Sequence, residues 1–149
     1  MPSKTQTPKF RILEKVAIAD IAFESYGKNL SELFENSAIA TTSIMVDAEN
    51  LSETADKKIF LHADDIEALL FDFLNELVFI KDTDGLLFRK FKIQITEKKD
   101  KVELEAILSG EQLNPDKHNL KIDIKAITLH LFKVEKKSSG YKATVVVDI

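Results

Sequence analysis

Residues 64–80, DDIEALLFDFLNELVFI, form the clearest secondary-structure pattern in this chain. Their apolar side chains recur at i, i+3, i+4, i+7, i+8, i+11 and i+12, namely at Ile66, Leu69, Leu70, Phe73, Leu74, Leu77 and Val78. This spacing places them along one face of an α-helix. We expect Asp64 to cap the helix, with Glu67 at its third position, and DTDG at 82–85 to form the turn that ends it. The stretch therefore predicts an amphipathic helix near 64–80.

The segments before this helix predict a strand, a second helix and another strand. Residues 15–27, KVAIADIAFESYG, alternate in polarity and indicate a strand that ends near Gly27. Asn29 and Glu32 have the spacing of a capping box, and an apolar stripe follows them, so a helix is expected near 29–46. KKIFLH at 57–62 is a short strand candidate.

After Gly85 the apolar period changes from 3.6 to 2, which predicts strands to the end of the chain. The four predicted strands are LFRKFKIQIT (87–96), KVELEAILS (101–109), LKIDIKAITLHLFKVE (120–135) and YKATVVVDI (141–149). The third changes phase after Ala126, which indicates a bulge or burial on both sides. Short connections favour an antiparallel arrangement. We therefore predict a single α+β domain at 10–149, with two helices packed on a mainly antiparallel β-sheet, after a flexible leader at 1–9.

The composition is that of a soluble globular protein. Of 149 residues, 44% are apolar and 31% are charged, and the absence of cysteine excludes disulfides, thiolate metal sites and cysteine nucleophiles. The net charge of −4 disfavours a large phosphate-binding surface, so strong direct binding of RNA is not expected. No signal peptide or membrane-spanning stretch is apparent, which predicts a cytoplasmic protein without a membrane partner.

Sequence motifs for common catalytic sites are missing. The chain contains no GxGxxG, Walker A, HExxH or GxSxG pattern, so it offers no standard phosphate cradle and no catalytic residue of these kinds. For His62, His118 and His130 the sequence favours structural roles. His130 lies in a strand pattern and is expected to be a hydrogen-bonded core imidazole.

Two aspartates interrupt apolar strand patterns. Asp20 lies within AIADIAF, and Asp148 lies within VVVDI at the end of the sequence. An ionised carboxylate in an apolar setting needs a base, a set of N–H groups or a cation as its partner. Together with the terminal carboxylate they would suit a hard cation such as Ca²⁺ or Mg²⁺. The alternative is that both aspartates lie at strand ends and face water.

Several segments in series resemble the archease family. AIADIAFESYG (17–27) resembles its opening motif HTADxGIxxxG, and LSELFENSAIA (30–40) resembles its first helix. Residues 64–91 contain the Leu-Leu pair, the Leu-Asn-Glu-Leu core and the turn of that family in the same order. ILSGE (107–111) and DKHNLKIDIKAITLH (116–130) resemble its Gly-Glu, Lys-His and Lys-Ala-x-Thr-x-His series, and VVVDI matches its Asp-Ile ending. The resemblance extends over nearly the whole chain.

This resemblance implies a protein that is not itself an enzyme and that activates an RtcB-type RNA ligase. Such a ligase joins RNA ends that carry a 2′,3′-cyclic phosphate or 3′-phosphate to a 5′-hydroxyl, using GTP and Mn²⁺. The archease promotes guanylylation of the ligase and supports multiple turnover in tRNA splicing and RNA repair. Two alternatives stay open, namely a cation-dependent phosphohydrolase that uses Asp20 and Asp148, and a chaperone-like scaffold with a structural metal.

The resemblance also implies a divalent cation site, with Ca²⁺ as the expected ion and Mg²⁺ as the alternative. Carried over residue by residue, its ligands are Asp20, Asp148 and the terminal carboxylate of Ile149. The chain departs from the family at Ala17, where the family has His, and at Ile18, where it has Thr. Phe73 stands where the family usually has Trp, which predicts a mild change in the core.

Overall fold

A computed structural model of the protein describes residues 8–13 and 20–149. Its elements, in chain order, are β1 (Phe10–Ile12), β2 (Asp20–Gly27), α1 (Leu30–Met45), a 3₁₀ helix (Ala48–Asn50), β3 (Ala55–Ala63), α2 (Ile66–Asp84), β4 (Leu86–Glu97), β5 (Val102–Gln112), β6 (Ala126–Lys137) and β7 (Gly140–Asp148). The strands form two antiparallel sheets, in the orders β1-β2-β7-β6 and β3-β5-β4. The α+β class and the two predicted helices are confirmed, although the strands divide into two sheets.

Helix α1 begins as its sequence predicts. The side chain of Asn29 accepts a hydrogen bond of 2.9 Å from the backbone N–H of Glu32. The Glu32 carboxylate accepts one of 3.0 Å from the N–H of Lys28, one residue earlier than in a standard capping box. These bonds satisfy backbone donors at the helix start, so α1 starts at Leu30 without help from distant residues.

Helix α2 differs from its prediction at both ends. The cap is Asp65 and not Asp64, because the Asp65 carboxylate accepts from the N–H of Ala68 at 2.8 Å. The helix also continues through the expected turn to Asp84. It ends at Gly85, whose left-handed backbone (φ 67°, ψ 22°) lets its N–H bond to the Lys81 carbonyl. Glycine adopts this conformation with little cost, so it decides where the helix ends.

Strand β6 also differs from its prediction. It begins at Ala126, and residues 120–125 form no strand, although Leu120 makes an isolated bridge with Val46. The phase change after Ala126 falls where the strand begins, and a large bulge follows it, in which residues 129–132 lie opposite the single residue Val145. His130 lies in this bulge and is exposed, so its prediction as a core imidazole is wrong.

Helix α2 covers the edge of β6 that faces away from β7. The Glu67 carboxylate accepts from the N–H of Val134 at 3.0 Å, and the Asn75 side chain accepts from the N–H of Ile127 at 3.1 Å. Phe132, at the end of the bulge, packs edge-on against Phe71 with ring centroids 5.5 Å apart. Side chains of α2 thus occupy hydrogen-bonding positions that a neighbouring strand would otherwise fill.

The core is built from residues of both helices and both sheets. Phe34 of α1 stacks on Phe73 of α2 at 5.9 Å, and both are fully buried. Phe23, Val145 and Leu104 bring β2, β7 and β5 into the same cluster. Because α1 contacts both β2 and β4, it joins the two sheets through this core.

The sequence predicts a flexible leader at residues 1–9. Residues 1–7 of that segment lie outside the described residues, but the Lys9 carbonyl accepts from the N–H of Tyr26 at 2.9 Å. Strand β1 then pairs with β2, a pairing that three residues are too short to reveal by alternation. Among the described residues, no helix combines the length and the apolar character that crossing a membrane requires.

Candidate functional site

Asp20 and Asp148 are direct partners across neighbouring strands. Asp20 is the first residue of β2, Asp148 is the last residue of β7, and the antiparallel register aligns the two. Directly opposed residues in such a pair have Cβ atoms about 4.5–5.5 Å apart. Both residues are half-buried. Two side chains that are far apart in the sequence therefore meet at one end of the four-stranded sheet.

The alternation of β2 and β7 determines which way the aspartates face. Phe23, Val145 and Val147 point into the core. Asp20 and Asp148 lie on the opposite face, which we call the outer face of the four-stranded sheet. In the next row of this face, Ala22 and Val146 are 2% and 0% exposed. The two carboxylates are therefore bordered on one side by a buried apolar row.

Ile149 and the connection before β6 complete this end of the sheet. The side chain of Ile149 is half-buried and packs against the core, which holds the residue next to Asp148. The Asp148 carbonyl accepts from the N–H of Lys125 at 2.8 Å, and Ala126 pairs with Asp148 on the side away from Asp20. The backbone around Asp148 is thus held by β2, by β6 and by the connection that leads into β6.

A third carboxylate on the outer face shows how such a group is normally balanced. Glu24 accepts from Lys142 Nζ at 2.9 Å, from Arg11 Nη2 at 2.8 Å and from Tyr26 Oη at 2.9 Å. The hydrogen bond from Lys142 is the largest cause that lowers the pKa of Glu24 to about 2. Within the described part of the chain, no lysine, arginine or histidine forms an ion pair with Asp20 or Asp148.

The donor set at Asp20 and Asp148 fits a hard cation. Two carboxylates placed directly opposite each other repel, and a bound cation removes this cost. Both offer oxygen atoms, which Ca²⁺ and Mg²⁺ prefer. Across residues 8–13 and 20–149, no group of three or more His, Cys, Asp or Glu side chains is placed to hold a metal. A third ligand from the described residues would therefore be a main-chain group, as the carboxylate of Ile149 would be.

The chain departs from the archease pattern at three positions, two of which precede Asp20 in the opening motif. Ala17 and Ile18, where the chain departs from the archease pattern, lie outside the described residues. Phe73 can be placed, and it is fully buried and stacked on Phe34, so this departure affects the core.

A cluster around Glu111 was not anticipated from the residues. The Glu111 carboxylate accepts from Lys117 Nζ at 2.7 Å, from the Ser52 N–H at 2.9 Å and from His118 Nε2 at 2.8 Å. His118 is buried, and its Nδ1 accepts from the N–H of Asn114 at 2.9 Å, so Nε2 carries the proton given to Glu111. The predicted structural role of His118 is supported. The signal in the sequence was the pair of Gly-Glu and Lys-His segments.

We expect Glu111→Gln to lower the free energy of unfolding in a pH-dependent manner. Hydrogen bonds from Lys117, Ser52 and His118 lower the pKa of Glu111 from 4.5 to about 2. A lowered folded-state pKa stabilises the fold above the unfolded value, and this contribution disappears as the pH falls toward about 2. Urea denaturation should show a lower free energy of unfolding for the variant than for the parent at neutral pH, and this difference should disappear in acid. Glu105→Gln, at an exposed position of β5, is the control. An equal difference at neutral and acidic pH would contradict the role assigned to the Glu111 carboxylate.

Comparisons with known proteins agree with the fold and with the order of the motifs. Residues 10–149 match the model of the Archease protein family (MTH1598/TM1083). Protein archease from Methanosarcina mazei is 38% identical over 150 residues and covers 100% of both chains, and protein archease from Pyrococcus abyssi is 39% identical over 132 residues, which are 88% of this chain and 93% of the relative.

Solved structures show the same similarity at the level of the fold. The solution structure of Methanobacterium thermoautotrophicum protein 1598 superposes with a TM-score of 0.83 at 33% identity, covering 95% of this chain and 99% of that one. A crystal structure described as an archease, possible chaperone, from Thermotoga maritima has the same fold, with a TM-score of 0.61 at 23% identity over 89% of this chain and 93% of that one. On the match to the family model and to full-length relatives, the chain belongs to the archease family.

Proposed function

We propose that this protein activates an RtcB-type RNA ligase, promoting its guanylylation and multiple turnover in tRNA splicing and RNA repair. The observation that carries the proposal is the direct pairing of Asp20 with Asp148 in a chain of the archease family. The carboxylates of these residues and of Ile149 would hold a divalent cation, with Ca²⁺ preferred and Mg²⁺ as the alternative. The proposal places the protein in the cytoplasm.

The residues of this chain would act by binding and orienting. The core behind β2 and β7 holds Asp20 and Asp148 in register, so the carboxylates are arranged before any partner arrives. The buried row of Ala22 and Val146 limits access of water from one side. A bound cation would supply positive charge that offsets the mutual repulsion of the three carboxylates.

Activation of the ligase requires differential binding. A partner shifts a conformational equilibrium only to the extent that it binds one state more tightly than the other. This chain would therefore bind the guanylylation-competent ligase better than the incompetent one, through the end of the sheet that bears Asp20 and Asp148. With no nucleotide motif of its own, it would not ligate RNA alone.

The test is a turnover assay with the matching ligase at limiting GTP. We expect the protein to raise both the fraction of guanylylated ligase and the number of ligations per enzyme, and to ligate nothing when the ligase is omitted. The control is the same protein heated until it unfolds. Equal turnover with and without the folded protein would reject the proposal.

Two further arms of the assay address the alternatives. Release of inorganic phosphate from a phosphomonoester would favour the phosphohydrolase, and suppression of aggregation of an unrelated unfolded protein would favour the chaperone-like scaffold. RNA binding by the protein alone should be weak at ~150 mM salt, given the net charge of −4. The ligation, phosphate-release and aggregation assays use the same preparation of protein, so they distinguish the ligase activator, the phosphohydrolase and the chaperone-like scaffold directly.

A further inference from the structure

Lys81 of α2 is a buried cation in contact with three oxygen atoms. Its side chain is 7% exposed, Nζ donates to Asp123 Oδ1 at 2.5 Å and to the Ile124 carbonyl at 2.8 Å, and it forms an ion pair with Asp82 Oδ1 at 2.7 Å. Burial by itself would lower the pKa of Lys81, but the hydrogen bonds to Asp123 and Asp82 outweigh burial and raise the pKa. The side chain is therefore an ammonium at neutral pH, held by two hydrogen bonds and a further ion pair.

Two of these acceptors belong to the connection that leads to the aspartate pair. Asp123 and Ile124 lie in residues 113–125, which contain no helix or strand and join β5 to β6. The next residue, Lys125, donates its N–H to the Asp148 carbonyl at 2.8 Å. This carbonyl is part of the peptide group that joins Asp148 to Ile149. The ammonium of Lys81 is thus linked to the backbone of two proposed ligands through one short piece of chain.

We propose that Lys81 is a positioning residue for the cation site, an inference that rests on the site proposed above. An irregular connection keeps its shape only where it is anchored, and Lys81 anchors the two residues immediately before Lys125. Lys125 in turn orients the peptide group of Asp148. Groups outside the ligand set that orient the ligands typically change metal affinity by about 10–100-fold.

The sign of the effect separates positioning from simple electrostatics. Lys81 is a positive charge, so removing it without moving any ligand would make the surroundings more negative and strengthen cation binding. Positioning predicts the opposite result, because the peptide group of Asp148 loses its support. A loss of affinity after removal of a cation therefore cannot come from charge alone.

The main experiment measures Ca²⁺ affinity by calorimetry on Lys81→Met, Lys81→Arg and Lys57→Met. Methionine keeps the buried stem but removes the donors, and we expect its affinity to fall by at least ~10-fold. Lys81→Arg retains donors and should recover part of the affinity. Lys57→Met is the matched control, because it removes the same charge from an exposed pair with Asp84 at the end of α2, and its affinity should stay close to that of the parent. Circular dichroism checks that each variant is folded.

A second pair of variants keeps the test decisive if Lys81→Met does not fold. Asp123→Asn and Asp82→Asn each remove one negative charge beside the same ammonium and replace a carboxylate oxygen with an amide oxygen, which is a weaker acceptor. Asp123 belongs to the connection, whereas Asp82 belongs to α2 itself. Positioning predicts that Asp123→Asn lowers Ca²⁺ affinity clearly more than Asp82→Asn does.

The outcomes distinguish this inference from the proposed site. If the parent protein binds Ca²⁺ and folded Lys81→Met binds it equally or more tightly, the positioning role is wrong while the site stands. Equal affinities for Asp123→Asn and Asp82→Asn lead to the same conclusion. If the parent itself shows no binding, the site is wrong and the inference falls with it.

Discussion

Asp148→Ala should reduce Ca²⁺ affinity by more than ~100-fold, because residues that only support a ligand already account for about 10–100-fold. It removes one of the two carboxylates that the sheet register brings together. Activation of the ligase should fall to the level without the protein, since the proposed site would no longer hold its cation. Calorimetry and the turnover assay measure the two effects on the same sample.

The fold should survive this change, so a loss of binding can be assigned to the site. Asp148 is half-buried at the end of a strand and is not part of the core cluster. Asp100→Ala is the matched control, because it removes the same charge from an exposed turn between β4 and β5. Unchanged Ca²⁺ affinity in Asp148→Ala would show that this carboxylate is not a ligand.

One residue added after Ile149 tests the third ligand by itself. The extension leaves Asp20 and Asp148 in place but converts the carboxylate of Ile149 into a neutral peptide group. Carboxylates bind Ca²⁺ more strongly than a single carbonyl does, so both affinity and activation should fall. If the extended protein matches the parent in both assays, the cation site is limited to the two aspartates.

Gly110→Ala should lower the free energy of unfolding by about 3 kcal/mol, the upper end of the usual cost of overpacking. Gly110 lies in β5, the central strand of its sheet. A Cβ atom there would lie 2.0 Å from the Leu87 carbonyl oxygen and 2.5 Å from Phe88 Cα. These are backbone atoms of β4, so they cannot yield as a side chain would. The thermal midpoint should fall by roughly 10 °C.

Gly85→Ala provides the comparison for this prediction. Gly85 has φ 67°, and the nearest atoms to an added Cβ belong to the Gln112 side chain at 3.8 Å and 3.9 Å. Its cost is therefore conformational only, about 1 kcal/mol. Thermal unfolding of both variants should show the larger loss at Gly110. Similar midpoints for both would mean that β4 shifts to make room.

The sequence predicted best those features that depend on neighbouring residues. Asn29 and Glu32 form their cap within one turn, and the apolar stripe of residues 66–78 needs only the helical period to be recognised. The predicted N-cap of α2 is one residue too early. Asp64 and Asp65 are both suitable caps, and only the backbone geometry selects between them. Alternation likewise identified the strands after Gly85.

Features that depend on distant partners were missed or misplaced. The division into two sheets follows from which strands pair, and alternation carries no information about partners. The bulge of β6 contacts α2, which is distant in the sequence, through Phe132 on Phe71. The Glu111 cluster joins Ser52 to Lys117 and His118 across two connections, so no single segment of sequence contains it.

The features of the candidate site also divide into those that the sequence predicts and those that depend on distant partners. The sequence by itself determined that Asp20 and Asp148 interrupt apolar patterns, because a carboxylate in such a pattern stands out wherever the segment lies. Only the tertiary structure decided that they are direct partners, because the register of β2 against β7 is determined by the packing of Phe23, Val145 and Val147 in the shared core. The role inferred for Lys81 also required the tertiary structure, since its acceptors on the connection to β6 are more than forty residues away along the chain.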